Sequence, residues 1–432
     1  MIDIKLLRKN PKIYKKAAKD KGVDVDIDKL LEIDDGRSKL IQEIDKLRSE
    51  RNEISDQTKK ADQKDRGNFI KRAKEIKGKL SEIEPNLKDI EKEYQKLMGR
   101  MPLPQALDVP IGEDDRANKE ISKHGEIPKF DFKPKDHIGI GKDLDILDLE
   151  RGAKISGYRG YVLKNEGVLL HLGLLWFTIK KMVKKGFKPV IPPTLVKKFV
   201  LFGSGHFPFC EEDIYKVAEE EHIDEKFKSK EPIYLVGTSE PSLLALYAGK
   251  TLKEEDLPIK LCGFSQCYRS EIGSYGKDTK GLYRIHEFMK VEQVVFCKND
   301  IETSEKFLKE LLEISKEILD DLKLPYRVVE VCSGDMGPGK YRMYDIETWM
   351  PSRTNYGETH SDSNLLDWQA RRLNIKYKTA DGETRYVYTL NNTAIASPRI
   401  LIALLESHQQ KDGSVVVPEV LRQFTGFDVI KK

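Results

Sequence analysis

The sequence feature that most constrains the fold is a heptad pattern of apolar residues in the N-terminal quarter of the chain. Apolar side chains alternate in steps of four and three at Phe69, Ala73, Ile76, Leu80, Ile83, Leu87, Ile90, Tyr94 and Leu97. An earlier segment repeats this rhythm less completely, at Ile33, Leu40, Ile44, Leu47 and Ile54. Such spacing places the apolar residues along one side of a helix. The pattern predicts two helices that pair as an antiparallel coiled coil, joined by a polar turn around Gly67.

The two predicted helices are long, and they are basic toward their shared tip. At about 1.5 Å per residue, arms of roughly 35 residues would each reach roughly 50 Å, and Pro85 should kink the second helix or open a gap in its hydrogen bonds. The basic residues toward the tip are Lys46, Arg48, Arg51, Lys59, Lys60, Lys64, Arg66, Lys71, Arg72, Lys74, Lys77 and Lys79. One interpretation is contact with the phosphates of structured RNA. The alternative is the solvated face of an ordinary coiled coil, because acidic residues such as Glu50 and Glu53 are interleaved.

Composition limits the classes of protein to consider. The chain of 432 residues, 39% of them hydrophobic, is long enough for two or three domains with a sizeable core. No apolar run reaches the roughly 18 residues that a membrane helix needs, and the first residues have no signal-peptide core, so we expect a cytoplasmic protein. The five cysteines are scattered without a C-x-x-C pair, which predicts reduced thiols, mostly in the core. The net charge of +4 does not by itself indicate a nucleic-acid partner.

A proline-rich, aperiodic segment, MPLPQALDVPIG at 101–112, separates the helical region from the remainder of the chain. We therefore predict one domain over 1–105 and a second over 106–432. In the second, short β-rich segments alternate with helical ones, including a long helix that ends near Gly186, which indicates an α+β fold. The chain lacks a complete phosphate-binding P-loop and a Rossmann fingerprint. A nucleotide site would therefore have to use side chains and antiparallel strands.

The segment FSQCYRSEIGSYGKDTKGLYRIHEFMKVE, from Phe264 to Glu292, is the richest in functional signals. Two strand-like stretches flank a basic loop, in which glycines permit backbone conformations that other residues resist. The glycines are Gly273, Gly276 and Gly281, and the charged residues of the two arms are Arg269, Glu271, Arg284 and Glu292. Charged groups at strand ends beside a cleft suggest nucleotide binding. An ordinary hairpin with surface ion pairs is the alternative.

This hairpin resembles motif 2 of the class II aminoacyl-tRNA synthetases. GFKPVIPPTLV at Gly186–Val196 resembles motif 1, and LNNTAIASPRILIALLESHQ at Leu390–Gln409 resembles motif 3. With GETHSDSNLLDWQARR at Gly357–Arg372 and VGTSE at Val236–Glu240, the chain resembles the bacterial-type seryl-tRNA synthetases over essentially its whole length. The resemblance implies an N-terminal antiparallel two-helix coiled coil, followed by a class II catalytic domain with an antiparallel β-sheet flanked by helices. It also implies a homodimer through motif 1, although the prolines alone mean only a helix stop and an edge strand.

The resemblance also implies roles for individual residues. The implied catalytic residues are Arg269 and Arg399. The residues implied to bind ATP are Arg269, Ser270, Glu271, Arg284, Phe288, Glu358, Thr359, His360, Ser361 and Arg399. Those implied to bind serine are Thr238, Ser239, Glu240, Glu292, Asn391 and Thr393. Glu358 and Ser361 are the implied ligands of Mg²⁺, a hard cation that prefers oxygen. Asp362 departs from the family, which often has cysteine there, and an added carboxylate beside the metal could alter its affinity.

The activity implied by the resemblance is that of a serine–tRNA ligase. L-serine would react with ATP to form seryl-adenylate, and the seryl group would pass to tRNA(Ser), and to tRNA(Sec) where that tRNA exists. The coiled-coil arm would contact the tRNA. One alternative is a synthetase-like paralogue that loads a carrier protein, against which the basic coiled coil argues, or one that has lost catalysis, against which the retained Arg269, Glu271, Glu358 and Arg399 argue. The other is a coiled-coil RNA-binding scaffold without ligase activity, which would bind neither ATP nor serine.

Overall fold

The computed structural model describes residues 1–60, 62, 64–218, 231–272 and 280–432. The chain divides into two compact units, Met1–Pro102 and Leu103–Lys432. Among the helices of the described residues, none has both the length and the apolar character needed to cross a bilayer.

The N-terminal unit is entirely helical in its described part. Its helices are α1 (Ile4–Lys9), α2 (Pro11–Asp20), α3 (Ile27–Lys60) and α4 (Arg66–Arg100). The two long helices pack along the predicted seam, where the buried residues are Ile44, Leu47, Ile54, Ile76 and Leu80. The predicted two-helix arm is therefore confirmed. The helix α4 continues through Pro85.

Ion pairs between the long helices use part of the basic surface of the arm. Arg48 lies 2.9 Å from Glu84, and Arg72 lies 2.7 Å from Glu50. The residue that comes later in α3, Glu50, contacts the residue that comes earlier in α4, Arg72, as an antiparallel pair requires. Two of the cations singled out in the sequence are thus partly neutralised within the arm. Exposed pairs of this kind stabilise by about 1 kcal/mol or less.

The C-terminal unit contains the remaining elements. Its helices are α5 (His137–Asp143), α6 (Leu149–Ser156), α7 (Asn165–Lys184), α8 (Lys198–Ser204), α9 (Glu240–Ala245), α10 (Ile301–Asp321), α11 (Trp368–Leu373), α12 (Ser397–Ser407) and α13 (Glu419–Thr425). Its strands are β1 (Lys119–His124), β2 (Leu147–Asp148), β3 (Val162–Leu163), β4 (Lys188–Val190), β5 (Leu195–Lys197), β6 (Ile233–Leu235), β7 (Thr251–Lys253), β8 (Ile259–Tyr268), β9 (Glu287–Cys297), β10 (Tyr326–Glu330), β11 (Arg342–Met350), β12 (Asn355–Asn364), β13 (Lys376–Lys378), β14 (Thr384–Tyr386), β15 (Tyr388–Ala396), β16 (Val415–Val416) and β17 (Val429–Ile430).

An eight-stranded sheet, in the order β1-β10-β11-β12-β15-β9-β8-β4, organises this unit. Neighbouring strands are antiparallel except β4 and β8, which run parallel. The predicted antiparallel sheet is therefore confirmed, with one parallel edge strand. That edge strand belongs to the motif 1 segment, in which Pro189 can be tolerated because an edge strand needs fewer ladder hydrogen bonds.

The main hydrophobic core lies where helices cover the sheet. The helices α7, α10 and α12 contribute residues such as Leu174, Ile318 and Ile402, which pack with Val295 of β9. The strand β9 is buried along nearly its whole length, as expected of a central strand covered on both faces. The helix α7 ends at Lys184, and Gly186 follows it with φ of +86°, so the predicted stop at this glycine is confirmed.

Candidate active site

Alternate residues of the central strand β9 form one row on a single face of the sheet. Phe288, Lys290 and Glu292 are two residues apart, so their side chains lie on the same face. Glu292 lies directly opposite Thr393 of β15, which brings their side chains together on that face. The hairpin β8–β9 and the strand β15 therefore bring together the predicted motif 2 and motif 3 residues.

The first of two cavities over this face contains most of the predicted serine-binding residues. Its volume is about 960 Å³, and its walls include Thr238, Glu240, Arg269, Lys290, Glu292, Lys340, Glu358, Ser361, Asn391 and Thr393. Five of the six residues predicted for serine are in this set. The sixth, Ser239, is buried and donates to the carbonyl oxygen of Gly263 at 3.4 Å.

Hydrogen bonds fix the carboxylate of Glu240 at this cavity. Gln369 donates to its Oε1 at 2.6 Å, and Asn391 donates to the same oxygen at 2.9 Å. Burial is the main cause that raises the pKa of Glu240 to about 7, and the neighbouring charge of Glu292 adds to it. The raised pKa reflects a buried negative charge that lacks sufficient compensation, and a substrate ammonium group could supply that compensation.

Glu292 has a close cationic neighbour, which sequence reasoning missed. The ammonium group of Lys290 forms an ion pair with the Glu292 carboxylate and donates to Thr238 Oγ1 at 3.3 Å. Both members of the pair are buried, at 7% and 2% exposure. The alternation of Phe288, Lys290 and Glu292 could have revealed Lys290, because strand period places it between the other two.

The second cavity, of about 500 Å³, contains predicted ATP-binding residues. Its walls include Arg269, Glu271, Tyr283, Phe288, Lys290, Glu358, Thr359, Thr393 and Arg399. The guanidinium carbon of Arg269 lies 5.4 Å from the centre of the Phe288 ring. Arg269 and Lys290 line both cavities, so these cations lie where the two cavities meet.

Arg399, near the start of α12, is held in this second cavity. Its Nη1 donates to the carbonyl oxygen of Glu358 at 2.7 Å and to the carboxylate Oε2 at 3.2 Å. Its guanidinium carbon lies 4.5 Å from the centre of the Tyr283 ring, and Arg353 lies 4.3 Å from the same centre. Tyr283 thus contacts two arginines, and its role was not recognised from the sequence.

Arg284 and Glu271 form an ion pair at the mouth of the motif 2 loop. Arg284 Nη1 donates to Glu271 Oε2 at 3.1 Å. Gly281 has φ of +68°, and an added Cβ would lie 1.9 Å from His137 Nε2, so this position requires glycine. The other two predicted loop glycines, Gly273 and Gly276, lie outside the described residues.

The predicted metal ligands lie on β12, and the surrounding oxygens suit a hard cation. Ser361 lies directly opposite Asp345 of β11, and Asp345 Oδ1 is buried without a hydrogen-bond partner in the described structure. Burial raises the pKa of Asp345 well above its ordinary value, with the charge of Glu358 adding to this. For Glu358 burial acts in the same direction, but Arg399 and Arg269 outweigh it and lower the pKa. Carboxylate and hydroxyl oxygens fit Mg²⁺.

Three predicted ATP-binding residues, Ser270, Arg284 and His360, line neither of these two cavities. Ser270 donates to the carbonyl oxygen of Glu212 at 2.9 Å. His360 is buried, with its ring nitrogens 2.8 Å from Thr359 Oγ1 and 3.2 Å from the carbonyl oxygen of Ala394. Burial lowers the pKa of His360 to about 3, so the ring is neutral at physiological pH.

Asp362 lies on the opposite face of β12 from Ser361, because successive strand residues alternate. It is 1% exposed, neither of its carboxylate oxygens has a hydrogen-bond partner in the described structure, and it lies opposite Asn392. Burial raises its pKa well above the ordinary value, with Asp345 adding to the effect. Its carboxylate therefore faces away from the predicted metal ligands.

Comparison with known proteins gives a consistent family for both units. Residues 1–103 match the family model of the seryl-tRNA synthetase N-terminal domain, and residues 215–408 match that of the tRNA synthetase class II core domain (G, H, P, S and T). The serine–tRNA ligase of Deinococcus radiodurans is 42% identical, covering 99% of this chain and 98% of the relative. That of Treponema denticola is 39% identical and covers both chains completely.

Solved structures agree with the sequence comparison. The seryl-tRNA synthetase of Pyrococcus horikoshii, complexed with ATP, superposes with a TM-score of 0.87 at 36% identity, covering 100% of this chain and 99% of that one. The cytoplasmic serine–tRNA ligase of Naegleria fowleri, in complex with AMP, superposes with a TM-score of 0.85 at 30% identity and with the same coverage of both chains. The chain belongs to the seryl-tRNA synthetase family of class II aminoacyl-tRNA synthetases.

Proposed function

We propose that this enzyme activates L-serine with ATP to form seryl-adenylate and then transfers the seryl group to tRNA(Ser). The observation that carries the proposal is the pairing of Glu292 with Thr393 in a cavity that meets a second one at Arg269. The first cavity offers acceptors for a small zwitterion that bears a hydroxyl. The second offers cations and an aromatic ring for a nucleotide.

In the first step, the serine carboxylate attacks the α-phosphate of ATP in line, the bond to the β-phosphate bridging oxygen breaks, and pyrophosphate leaves. Arg269 lies where the two cavities meet, so it would neutralise the α-phosphate and orient the attacking carboxylate. Phe288 would stack on the adenine ring, and Glu271 would bind its amino group. Arg284 and Arg399 would bind the outer phosphates, where the start of α12 also favours anions.

We place Mg²⁺ at Glu358 and Ser361, where it would neutralise phosphate charge when bound. The buried, unpartnered Oδ1 of Asp345 beside Ser361 supports a cation in this region. Glu358 already contacts Arg399, so the chain itself orients this carboxylate. The lowered pKa of Glu358 keeps it ionised for this role.

In the second step, a hydroxyl of the terminal ribose of the tRNA attacks the activated carbonyl. The reaction needs no protein nucleophile, because the adenylate supplies the leaving group. The enzyme therefore accelerates both steps by positioning and electrostatic stabilisation.

Selectivity for serine follows from its hydroxyl. Glu292 and Thr393 would hydrogen-bond this group, and Glu240 would accept from the serine ammonium. Alanine offers no hydroxyl, so Glu292 would keep only its ion pair with Lys290, and Thr393 would lack its partner. A site built to hydrogen-bond a hydroxyl rejects an analogue that lacks it by orders of magnitude. Threonine would have to fit an additional methyl group against the walls of the cavity.

We assign the arm domain, residues 1–105, to tRNA binding and residues 106–432 to catalysis. The exposed lysines near the arm tip are suited to a phosphate backbone, and their number exceeds that of the cations paired within the arm. The substrate would be tRNA(Ser), and tRNA(Sec) where it exists. We propose that the reaction takes place in the cytoplasm, and membership of the seryl-tRNA synthetase family supports this.

We further propose a homodimer through the motif 1 region. Leu172, Trp176 and Ile191 are 46%, 51% and 80% exposed, and they line one apolar depression. An exposed apolar patch of this kind is typical of a protein interface. Sedimentation of the native chain and of Trp176→Glu would test this: the native chain should sediment as a dimer, and the variant as a weaker dimer or a monomer.

Amino-acid-dependent ATP–pyrophosphate exchange tests the adenylation step without tRNA. We expect exchange with serine, and none above background with alanine or threonine. Charging of tRNA(Ser) by the same preparation then tests the transfer. Exchange without charging would indicate a paralogue with another acceptor, and no exchange with any amino acid would indicate a protein without ligase activity.

A further inference from the structure

A third cation in the walls of the cavity that contains the predicted serine-binding residues comes from a short loop between β10 and β11. The loop, Gly337–Lys340, is held by its backbone: Lys340 N–H donates to the carbonyl oxygen of Gly337 at 3.1 Å, and Leu103 N–H donates to that of Pro338 at 2.9 Å. A Cβ on Gly339 would lie 2.5 Å from the Trp368 ring, so the loop backbone packs directly on this buried side chain. The position of Lys340 is therefore well defined.

The side chain of Lys340 extends over the face of the sheet that bears the site. Its Nζ lies 3.1 Å from Sδ of Met343. Met343 lies opposite Ser363 on β12, and Ser363 lies opposite Asn391 on β15. These three residues form one row across the sheet, and Asn391 is the residue that donates to Glu240. Lys340 is thus placed beside the serine-binding residues.

Lys340 lines the first cavity, which contains the predicted serine-binding residues and is called the serine-side cavity below. It does not line the second cavity, which contains the predicted ATP-binding residues and is called the nucleotide-side cavity. Its charge acts against the burial that raises the pKa of Glu240 and Asp345. It also contributes to the lowered pKa of Glu358, behind the larger effects of burial, Arg399 and Arg269. The ammonium group therefore interacts electrostatically with carboxylates around the cavity, and a small anion there would experience the same field.

The contacts of Lys290 and Arg269 leave one carboxylate oxygen of free serine without a cationic partner. The ammonium group of Lys290 is engaged with Glu292 and Thr238. Arg269 lies at the junction, where the attacking carboxylate oxygen meets the α-phosphate. The second carboxylate oxygen of free serine would face the serine-side cavity, where Glu240 and Glu292 would otherwise repel it.

Resting on the function proposed above, we propose that Lys340 is a positioning residue that binds the second carboxylate oxygen of free serine. It holds the amino acid before activation, while Arg269 orients the oxygen that attacks. Lys340 takes no part in bond making, because it lines only the cavity away from the phosphates.

The test compares two ligands that differ in the carboxylate. L-serine has it, whereas L-serinamide keeps the ammonium and hydroxyl groups but carries a neutral amide instead. The KM for serine and the inhibition constant of serinamide are measured in ATP–pyrophosphate exchange with wild type, Lys340→Met and Lys340→Arg. Neither constant depends on the fraction of active enzyme, so partial misfolding of a variant does not affect the comparison.

For Lys340→Met we expect the KM for serine to rise by about 10-fold or more, the loss typical of a hydrogen bond to a charged group. The inhibition constant of serinamide should stay constant or fall, because removing a cation favours a cationic ligand. The KM for ATP should change by less than about threefold, and Lys340→Arg should recover most of the serine affinity.

Two results would overturn the proposal. One is a serine KM within about twofold of the wild-type value in Lys340→Met. The other is an equal rise for serine and serinamide, which would mean that Lys340 only supports the shape of the cavity. Failure of the proposed function itself is distinguishable, because the wild-type enzyme would then show no serine-dependent exchange.

Discussion

Replacing Glu240 by glutamine should make the catalytic unit more stable while impairing serine activation. Glu240 is 9% exposed, and burial is the main cause that raises its pKa from 4.5 to about 7. The folded protein therefore favours the neutral form of this side chain. Glutamine has nearly the same shape and no charge, and its amide oxygen can accept from Gln369 and Asn391 as the carboxylate does.

The pKa difference sets the size and the pH dependence of this effect. One pKa unit corresponds to about 1.36 kcal/mol, so the difference amounts to roughly 3 kcal/mol, and we expect about 2–3 kcal/mol in the free energy of unfolding. Between pH 4.5 and 7 the folded state binds the proton more tightly than the unfolded state, so wild-type stability falls as the pH rises. The advantage of Glu240→Gln should therefore be small below pH 5 and fully developed at pH 8.

Urea unfolding followed by tryptophan fluorescence measures the change in the free energy of unfolding of the C-terminal unit. All three tryptophans, Trp176, Trp349 and Trp368, belong to the unit Leu103–Lys432, so the signal does not report on the arm. The same variant should have a much higher KM for serine, because the amide cannot match a carboxylate as acceptor for an ammonium group. The reasoning would be refuted if Glu240→Gln were no more stable than wild type at pH 8, or if its gain in unfolding free energy were as large at pH 5 as at pH 8.

Three further predictions concern the nucleotide side, the loop and the arm. Arg269→Lys should reduce the kcat of pyrophosphate exchange by about 10²–10³-fold with unfolding midpoints unchanged, since lysine loses the bidentate geometry; a loss under tenfold would contradict this. Gly339→Ala should lower the unfolding free energy by about 1–3 kcal/mol, because its Cβ would meet the Trp368 ring. Gly337→Ala is the control and should be nearly neutral, because its Cβ would have contacts no closer than 3.7 Å. Equal effects of the two substitutions would contradict the packing of Gly339 on Trp368. Replacing the exposed lysines of 59–79 by glutamine should weaken tRNA charging and reduce its salt dependence, leaving exchange without tRNA intact; unchanged charging would contradict the role of the arm.

Local sequence pattern predicted the elements whose geometry depends on near neighbours. The heptad rhythm predicted α3 and α4, because a coiled-coil seam is set by spacing alone. The hairpin around the motif 2 loop and the helix stop at Gly186 were likewise confirmed. The alternation of strand residues also explains why Asp362 faces away from Ser361, a consequence that was available from the sequence.

Side-chain contacts between strands that are distant in sequence could not be predicted from local sequence patterns. The order that places β15 between β9 and β12 brings Glu292 to Thr393, and only the resemblance to a family could anticipate it. The ion pair of Lys290 with Glu292 and the position of Lys340 depend on side-chain packing, which no motif encoded. Ser270 and His360 were assigned to ATP by their place in motifs, yet the structure gives their side chains other hydrogen-bond partners.

The most direct test of the central claim is amino-acid-dependent ATP–pyrophosphate exchange, run with each of the twenty amino acids, Mg²⁺ and no tRNA. The site described here predicts exchange with serine that exceeds the rates with alanine and threonine by orders of magnitude. Equal exchange with alanine would contradict the role of Glu292 and Thr393 in recognising the hydroxyl, and no exchange with any amino acid would contradict the adenylation site itself.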